Sequence, residues 1–317
     1  MTEERAQREL ALRVRDLLLG WRLRVVPLLR GSLPVPARRG LRHLDEWLDP
    51  VRRFLYRRLT GDSRRVPPRL LRERVGAPTI ESYFATGERW AATVELGLAA
   101  AERRLADCSS VLEFGCGAGK VIRHLEGRGA GELDGCDIHE GSIEWLDAKL
   151  PAVKAVRNAV SPPLPYPDAY FDCIYAWSVF THLDRAAQDQ WLLELRRILA
   201  PEGTLLISVL GEDSPAIFEA QGRLDRLQLS DEGVLFFPYV DRGASYSEFA
   251  GSDQQKYGLT YVTREHIRER WSHRFEVVRI LPLAFEALQD VVVLSPLRAD
   301  ARRGKELGDA SQRVANG

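Results

Sequence analysis

A doubly wound α/β domain with a mostly parallel, seven-stranded sheet is the fold this 317-residue sequence predicts, and three observations carry the prediction. From Ile80 onward, short apolar runs of strand length alternate with helical segments of about 10–15 residues, the rhythm of βαβ units. One run, Val111–Phe114, passes directly into a glycine-rich turn. The last two runs, FEVVRI and DVVVLS, stand too close together for a parallel crossover, so an antiparallel pair closes the sheet at its edge.

The elements follow in order. From Glu9 to Leu29, the residues Leu10, Val14, Leu17, Leu18, Trp21, Val25 and Leu28 recur three and four apart among arginines, which reads as a basic amphipathic helix. Residues 31–40 read as a Pro/Gly linker, and a second basic helix is expected from about Leu41 to Leu59. Together these form a basic helical extension, residues 1–78. A helix over SYFATGERWAATVELGLAAAERRL opens the second domain, residues 79–297. Strands SSVLEFG, ELDGCD, AVKAV, FDCIYAW and TLLISVL then alternate with helices expected at about 118–127, 141–149 and 184–199. Residues 211–259 break this rhythm and carry Phe218, Phe236, Phe237, Tyr239, Tyr246, Phe249 and Tyr257; a loop of that length reads as a lid. The polar tail, 298–317, is expected to be disordered, and Gln289-Asp290 reads as an edge-strand turn.

Composition narrows the function. With 45% hydrophobic and 28% charged residues, the chain is neither disordered, collagen-like nor a disulfide miniprotein. Its 45 basic and 45 acidic side chains cancel. The cancellation hides a division, because residues 1–79 hold 19 arginines, no lysine and 9 acids, a net charge of +10. Cys108, Cys116, Cys136 and Cys173 form no C-x-x-C pair, and Cys136 with His139 has no second pair to complete a zinc site, so no metal is expected. The N-terminus lacks the pattern of a secretory signal and no apolar run approaches the ~20 residues that span a bilayer. The expected location is cytoplasmic.

The turn Glu113-Phe114-Gly115-Cys116-Gly117-Ala118-Gly119-Lys120 admits three cofactor readings. A phosphate-binding loop needs G-x-x-x-x-G-K-[ST], but Phe114 stands at its first glycine and Val121 at its Ser/Thr. A dinucleotide fingerprint needs glycine at Lys120, which weakens that reading without removing it. The third pattern is E-x-G-x-G-x-G. With Asp137 ending strand two about 20 residues further on, where a carboxylate can accept from both hydroxyls of a ribose, it resembles the class I S-adenosylmethionine-dependent methyltransferases over residues 80–297.

That resemblance implies a Rossmann-like fold, S-adenosyl-L-methionine as cofactor and a set of site residues. Glu113 would hold the methionine end, Gly115, Cys116 (through its backbone), Gly117 and Gly119 would wrap it, Asp137 and Ile138 would take the ribose, and Asn158-Ala159 the adenine. Tyr83 and Gly87 resemble a Y-x-x-x-G element that covers the cofactor. Residues Ala176–Leu183, with Ser178, are similar to the loop facing the reactive methyl in small-molecule methyltransferases of the ubiquinone-biosynthesis type. His182 is the candidate general base, against the plainer reading of a helix-entry histidine bonded to backbone. Trp177, Phe180, Tyr257 and Tyr261 are candidate acceptor contacts, with core positions or a helix-entry turn as their alternatives. Ser161-Pro162-Pro163-Leu164 falls before strand four and lacks the final aromatic of the [DNS]-P-P-[YF] element, so base modification gains no support.

The expected activity is methyl transfer to a small-molecule or glycan acceptor, at a hydroxyl oxygen. N- or C-methylation on the same scaffold is one alternative, and a non-catalytic adenosylmethionine-binding or interaction protein is another. The basic extension, residues 1–78, has three readings: packing on the acidic catalytic domain, peripheral attachment to an anionic membrane at its inner face, or a nucleic-acid arm, the least favoured because no recognisable module accompanies it.

Overall fold

The computed structural model describes residues 35–60, 64–220, 233–238 and 257–297. The predicted helix Glu9–Leu29, the tail 298–317 and most of the interior of 211–259 lie outside the described residues. The chain divides into two compact units, Met1–Tyr83 and Phe84–Gly317.

In the first unit, helix α1 runs Val35–Thr60 and α2 Arg69–Arg74. Helix α1 therefore starts inside the stretch read as a linker. Pro36 falls in its first turn, where an amide has no intrahelical acceptor and proline costs little. Asp49 is the buried tie between the two helices: its carboxylate accepts from Arg72 Nη2 at 2.7 Å and from the Arg69 amide at 3.1 Å.

Helix α3, Ile80–Ala100, leads into the second unit. The strands there are β1 (Ser110–Phe114), β2 (Glu132–Asp137), β3 (Val153–Arg157), β4 (Phe171–Ala176) and β5 (Leu199–Val209), with helices α4 (Glu140–Lys149) and α5 (Arg185–Ile198) between them. Helix α6 (Ser214–Ala220), a separate pair β6 (Val234–Pro238) and β7 (Gly258–Val262), and helix α7 (Arg264–Arg270) come next, and β8 (Phe275–Phe285) and β9 (Gln289–Pro296) finish the sheet. The order β3-β2-β1-β4-β5-β9-β8 has β1 through β5 parallel and β9 antiparallel to both neighbours. This is the α/β, Rossmann-like architecture expected.

The period of two along each strand divides the core into two layers. Leu112, Phe114, Ile174, Ala176, Leu205, Ile207, Val292 and Leu294 pack with α5 on one face. Val111, Cys173, Tyr175, Leu206, Val291 and Val293 pack with α3 and α4 on the other. The ends of α4 and α5 follow local chemistry, since His139 accepts from the Ser142 amide and Asp184 from the Ala187 amide as N-caps.

Three expectations need correction. No α-helix occupies 118–127: Gly119, Gly127 and Gly129 sit at φ +71°, +75° and +94°, outside the helical region, and only the 3₁₀ turn Ile122–His124 forms. The segment 211–259 is not all loop: its described residues include the helix Ser214–Ala220 and the strand Val234–Pro238, which pairs with Gly258–Val262 at and beyond its end. Gln289-Asp290 is no edge turn, since β9 lies between β5 and β8 and both side chains are buried.

Candidate active site

The strand order reverses between β1 and β4, and in open α/β sheets the crevice at the carboxyl ends of such strands is the ligand site. Glu113, the glycine turn, Asp137, Asn158 and Ser178 all stand there, each at the end of a strand or one to five residues past it.

The glycine turn is pinned to β2 by two amides, Gly115 N and Cys116 N, which both donate to the Cys136 carbonyl at 2.8 and 3.0 Å. Gly115 and Gly117 take φ +82° and +51°, so their amides face directions an ordinary residue rarely supplies. A Cβ at Gly115 would come within 2.4 Å of Val179 Cγ2, which shows how closely the β4 exit approaches the turn. The Cys116 side chain is buried, and burial pushes its thiol well above the ordinary range, which leaves only its backbone for a ligand. On the far side, a Cβ at Gly87 of α3 would fall 2.1 Å from the Lys120 carbonyl oxygen. The glycine of the Y-x-x-x-G element thus lets α3 touch the turn. Tyr83 is on the same helix, in the first unit, and fully buried.

Glu113 is buried and accepts from the Ile122 amide at 2.9 Å. Burial raises its pKa to about 8, against the pull of the Ile122 amide, Tyr175 and Lys120. Lys120 is also buried, and desolvation lowers its pKa to about 7, opposed by Glu113 and Glu286. Its Nζ lies 3.1 Å from the centroid of Trp90. Trp90 Nε1 in turn donates to Glu286 at 2.6 Å, beside Arg89. This chain of contacts links the glycine turn to the β8–β9 hairpin and was missed in the sequence reading, where Lys120 served only to discriminate between motifs. Trp90, three residues after Gly87 on α3, was its available signal.

Asp137 Oδ2 accepts from the Gly117 amide and Oδ1 from the His139 amide, both at 2.8 Å, which fixes the plane of the carboxylate. Ile138 beside it is half-buried. Asn158 donates from Nδ2 to the Ala159 carbonyl at 2.7 Å, while its Oδ1 is buried without a hydrogen-bond partner. A buried acceptor in that condition costs stability until a donor arrives. The exocyclic amine of an adenine is such a donor, so the residues present fit adenosylmethionine: the glycine amides and Glu113 would hold the methionine end, Asp137 the ribose and Asn158 the base.

At the exit of β4, Ser178 takes φ +56°, its amide donates to Ser208 Oγ at 2.7 Å, and its hydroxyl accepts from Gln289 Nε2 at 3.0 Å. Gln289, read in the sequence only as part of an edge-strand turn, is a second residue whose place at the site was missed, because only the sheet pairing brings β9 to this point. His182 Nδ1 lies 2.9 Å from the Gly258 carbonyl and its ring stacks on Tyr257 with centroids 5.1 Å apart. Thr260 Oγ1 donates to the Leu183 carbonyl at 2.6 Å, so β7 is tied to the same loop.

The four candidate acceptor contacts separate. Tyr257 is at His182, half-buried. Trp177 packs among Tyr175 and Phe285 on one face of the sheet, and Phe180 is fully buried against Trp271 on the other. They do not form one wall: the positive φ of Ser178 turns the chain between them. Tyr261 is fully buried, packed with Leu210 and Phe237.

Residues 111–203 match the protein family described as "Methyltransferase domain". That match covers 93 of the 317 residues, and with the sheet order it supports S-adenosylmethionine-dependent methyl transfer as the activity of this chain. Among similar proteins, 27-O-demethylrifamycin SV methyltransferase of Amycolatopsis mediterranei (strain S699) is 28% identical over 203 residues, 60% of this chain and 71% of that protein. Similar solved structures include a TehB-like SAM-dependent methyltransferase from Corynebacterium glutamicum ATCC 13032, at 16% identity and TM-score 0.39 over 67% of this chain and 88% of that one. A glycopeptide N-methyltransferase complexed with (S)-adenosyl-L-methionine is 14% identical, with TM-score 0.41 over 60% of this chain and 82% of that one.

Proposed function

We propose that this enzyme methylates a hydroxyl oxygen of a small-molecule or glycan acceptor, with His182 as general base. The observation that carries the reading is the hydrogen bond from His182 Nδ1 to the Gly258 carbonyl. A carbonyl can only accept, so Nδ1 bears the proton and the basic lone pair is on Nε2. Burial lowers the pKa of His182, so the ring is neutral at physiological pH.

When bound, the sulfonium of the cofactor supplies an electrophilic methyl group for in-line displacement. The acceptor oxygen would gain the methyl group as the carbon–sulfur bond breaks, and His182 Nε2 would take the hydroxyl proton. The chain's part is to hold oxygen and carbon in line at roughly 3–3.5 Å and exclude water. Tyr257 and β7, fastened to the β4 exit through His182 and Thr260, are suited to that exclusion. The loop Ala176–Leu183, similar to that of small-molecule methyltransferases of the ubiquinone-biosynthesis type, supports a small acceptor, and the Amycolatopsis relative is named for an oxygen position.

The test is a methyl-label transfer screen against cell extract, followed by the His182→Ala variant with turnover and cofactor affinity measured separately. A labelled methyl on oxygen, with turnover lowered by about 10²–10⁴ and cofactor affinity retained, is expected. Label on nitrogen or carbon, or unchanged turnover in the variant, would refute the proposal.

A further inference from the structure

Helix α1 has its polarity inverted. Its inner face carries the ionic cluster, in which Asp49, 3% exposed, pairs with Arg53 and Arg72 at 3.1 and 2.7 Å. The opposite face carries Trp47, Val51, Phe54 and Leu55, which are 74%, 50%, 60% and 46% exposed. The spacing of four, three and one puts these four side chains on one stripe of a helix with 3.6 residues per turn. A contiguous exposed stripe of Trp, Val, Phe and Leu marks an interaction surface, unlike apolar residues scattered singly.

The charge around the stripe selects its occupant. Arg57 and Arg58 are exposed on the last turns of the helix, and the Arg58 guanidinium lies over the Phe54 ring at 5.8 Å. Residues 46–58 hold four arginines against Glu46 and Asp49; with Arg53 and Asp49 joined in the ionic cluster, Arg52, Arg57 and Arg58 stand against Glu46. An aromatic and aliphatic face with arginines at its rim matches a helix lying in the headgroup region of an anionic bilayer, the rings entering the acyl boundary and the guanidinium groups on phosphates. A second copy of the chain would bring a second set of rim arginines against the first. The Arg-rich helix read in the sequence at Glu9–Leu29 would do the same. No helix among the described residues is long and apolar enough to cross a membrane.

We propose that the outward face of α1, through Trp47, Val51, Phe54 and Leu55 with Arg57 and Arg58, docks this methyltransferase on an anionic lipid surface. The inference is independent of the acceptor and of the role of His182.

The test uses the full chain, co-sedimented with vesicles of phosphatidylcholine and of phosphatidylcholine mixed with phosphatidylglycerol, at low and raised salt. The wild-type chain should pellet with the mixed vesicles, stay in solution with phosphatidylcholine alone, and be partly released by salt. Trp47→Glu with Phe54→Glu should weaken partition by about tenfold or more, and Arg57→Glu with Arg58→Glu should abolish the preference for phosphatidylglycerol. The arginine pair is exposed, so it keeps the test valid should the first pair fail to fold; adenosylmethionine binding serves as the folding control for both. A wild-type chain that stays in solution with anionic vesicles overturns the proposal, as does a Trp47→Glu/Phe54→Glu chain that pellets like the wild type. Concentration-dependent dimerisation lost in that variant, without vesicle binding, would assign the face to a second copy instead.

Discussion

Glu113 and Lys120 illustrate what burial does to a charged pair in this site. Burial raises the carboxyl to about 8 and lowers the ammonium to about 7. Without cofactor, Glu113 is therefore protonated between about pH 6 and 8, a window in which an ordinary glutamate is almost fully ionised. A cofactor ammonium at the methionine end favours the carboxylate, so binding should release a proton between about pH 6 and 8. Calorimetric titration in two buffers of different ionisation enthalpy measures that proton, and Glu113→Gln should remove it. The His182 shift has the opposite bearing on rate. Because its pKa is lowered, the neutral base persists to more acid pH, and the acid limb of kcat should fall below the ordinary histidine value of about 6.5. An acid limb above that value would conflict with the buried position of the ring.

At the scale of elements, close approaches decide how the site is held. A methyl group at Gly87 would press on the Lys120 carbonyl, a backbone atom that cannot turn aside. Gly87→Ala should thus cost about 1–3 kcal/mol of stability, read as a lowered Tm, and weaken cofactor binding by moving the glycine turn. Arg264 at the start of α7 clamps both ends of the 211–259 segment to β9: it donates to Asp290 at 2.7 Å and pairs with Asp213. Asp290 is fully buried, so Arg264→Met should destabilise by roughly 3 kcal/mol by stranding that carboxylate, and should increase proteolytic cleavage within 211–259. The same scale explains what the sequence could disclose. Strands β1 to β5 were legible because short runs of strand length alternate with helical segments, and β1, β2, β4 and β5 are buried along most of their length; Glu113, the glycines and Asp137 were legible because their spacing is local. The helix expected at 118–127 was misread because Val121, Ile122 and Leu125 satisfy a helical period, while the positive φ values of Gly119 and Gly127 are not visible in that period. Gln289 with Ser178, and Trp90 with Glu286, are 111 and 196 residues apart, and only the sheet order joins them. Trp177 and Phe180 looked like one wall in sequence because nothing local announces that Ser178 reverses the chain between them.

Over the whole molecule, neutrality is the sum of two unlike parts. The first 79 residues carry +10, and the rest, which contains all the candidate cofactor residues, carries the balancing negative charge. The part with the motifs gathers its candidate cofactor residues at the carboxyl ends of β1, β2, β3 and β4, and the basic part presents the apolar face of α1. The claim on which this division rests is that Asp137, the glycine turn and Asn158 form one adenosylmethionine site. Isothermal titration of the full chain with S-adenosylmethionine and S-adenosylhomocysteine, in parallel with Asp137→Ala, tests it most directly. Each ligand should bind at one site per chain, and the variant should bind about tenfold or more weakly, the loss of charge-assisted bonds worth roughly 1.5–3 kcal/mol each. Absence of binding for both ligands, or an Asp137→Ala chain that binds like the wild type, would contradict the account.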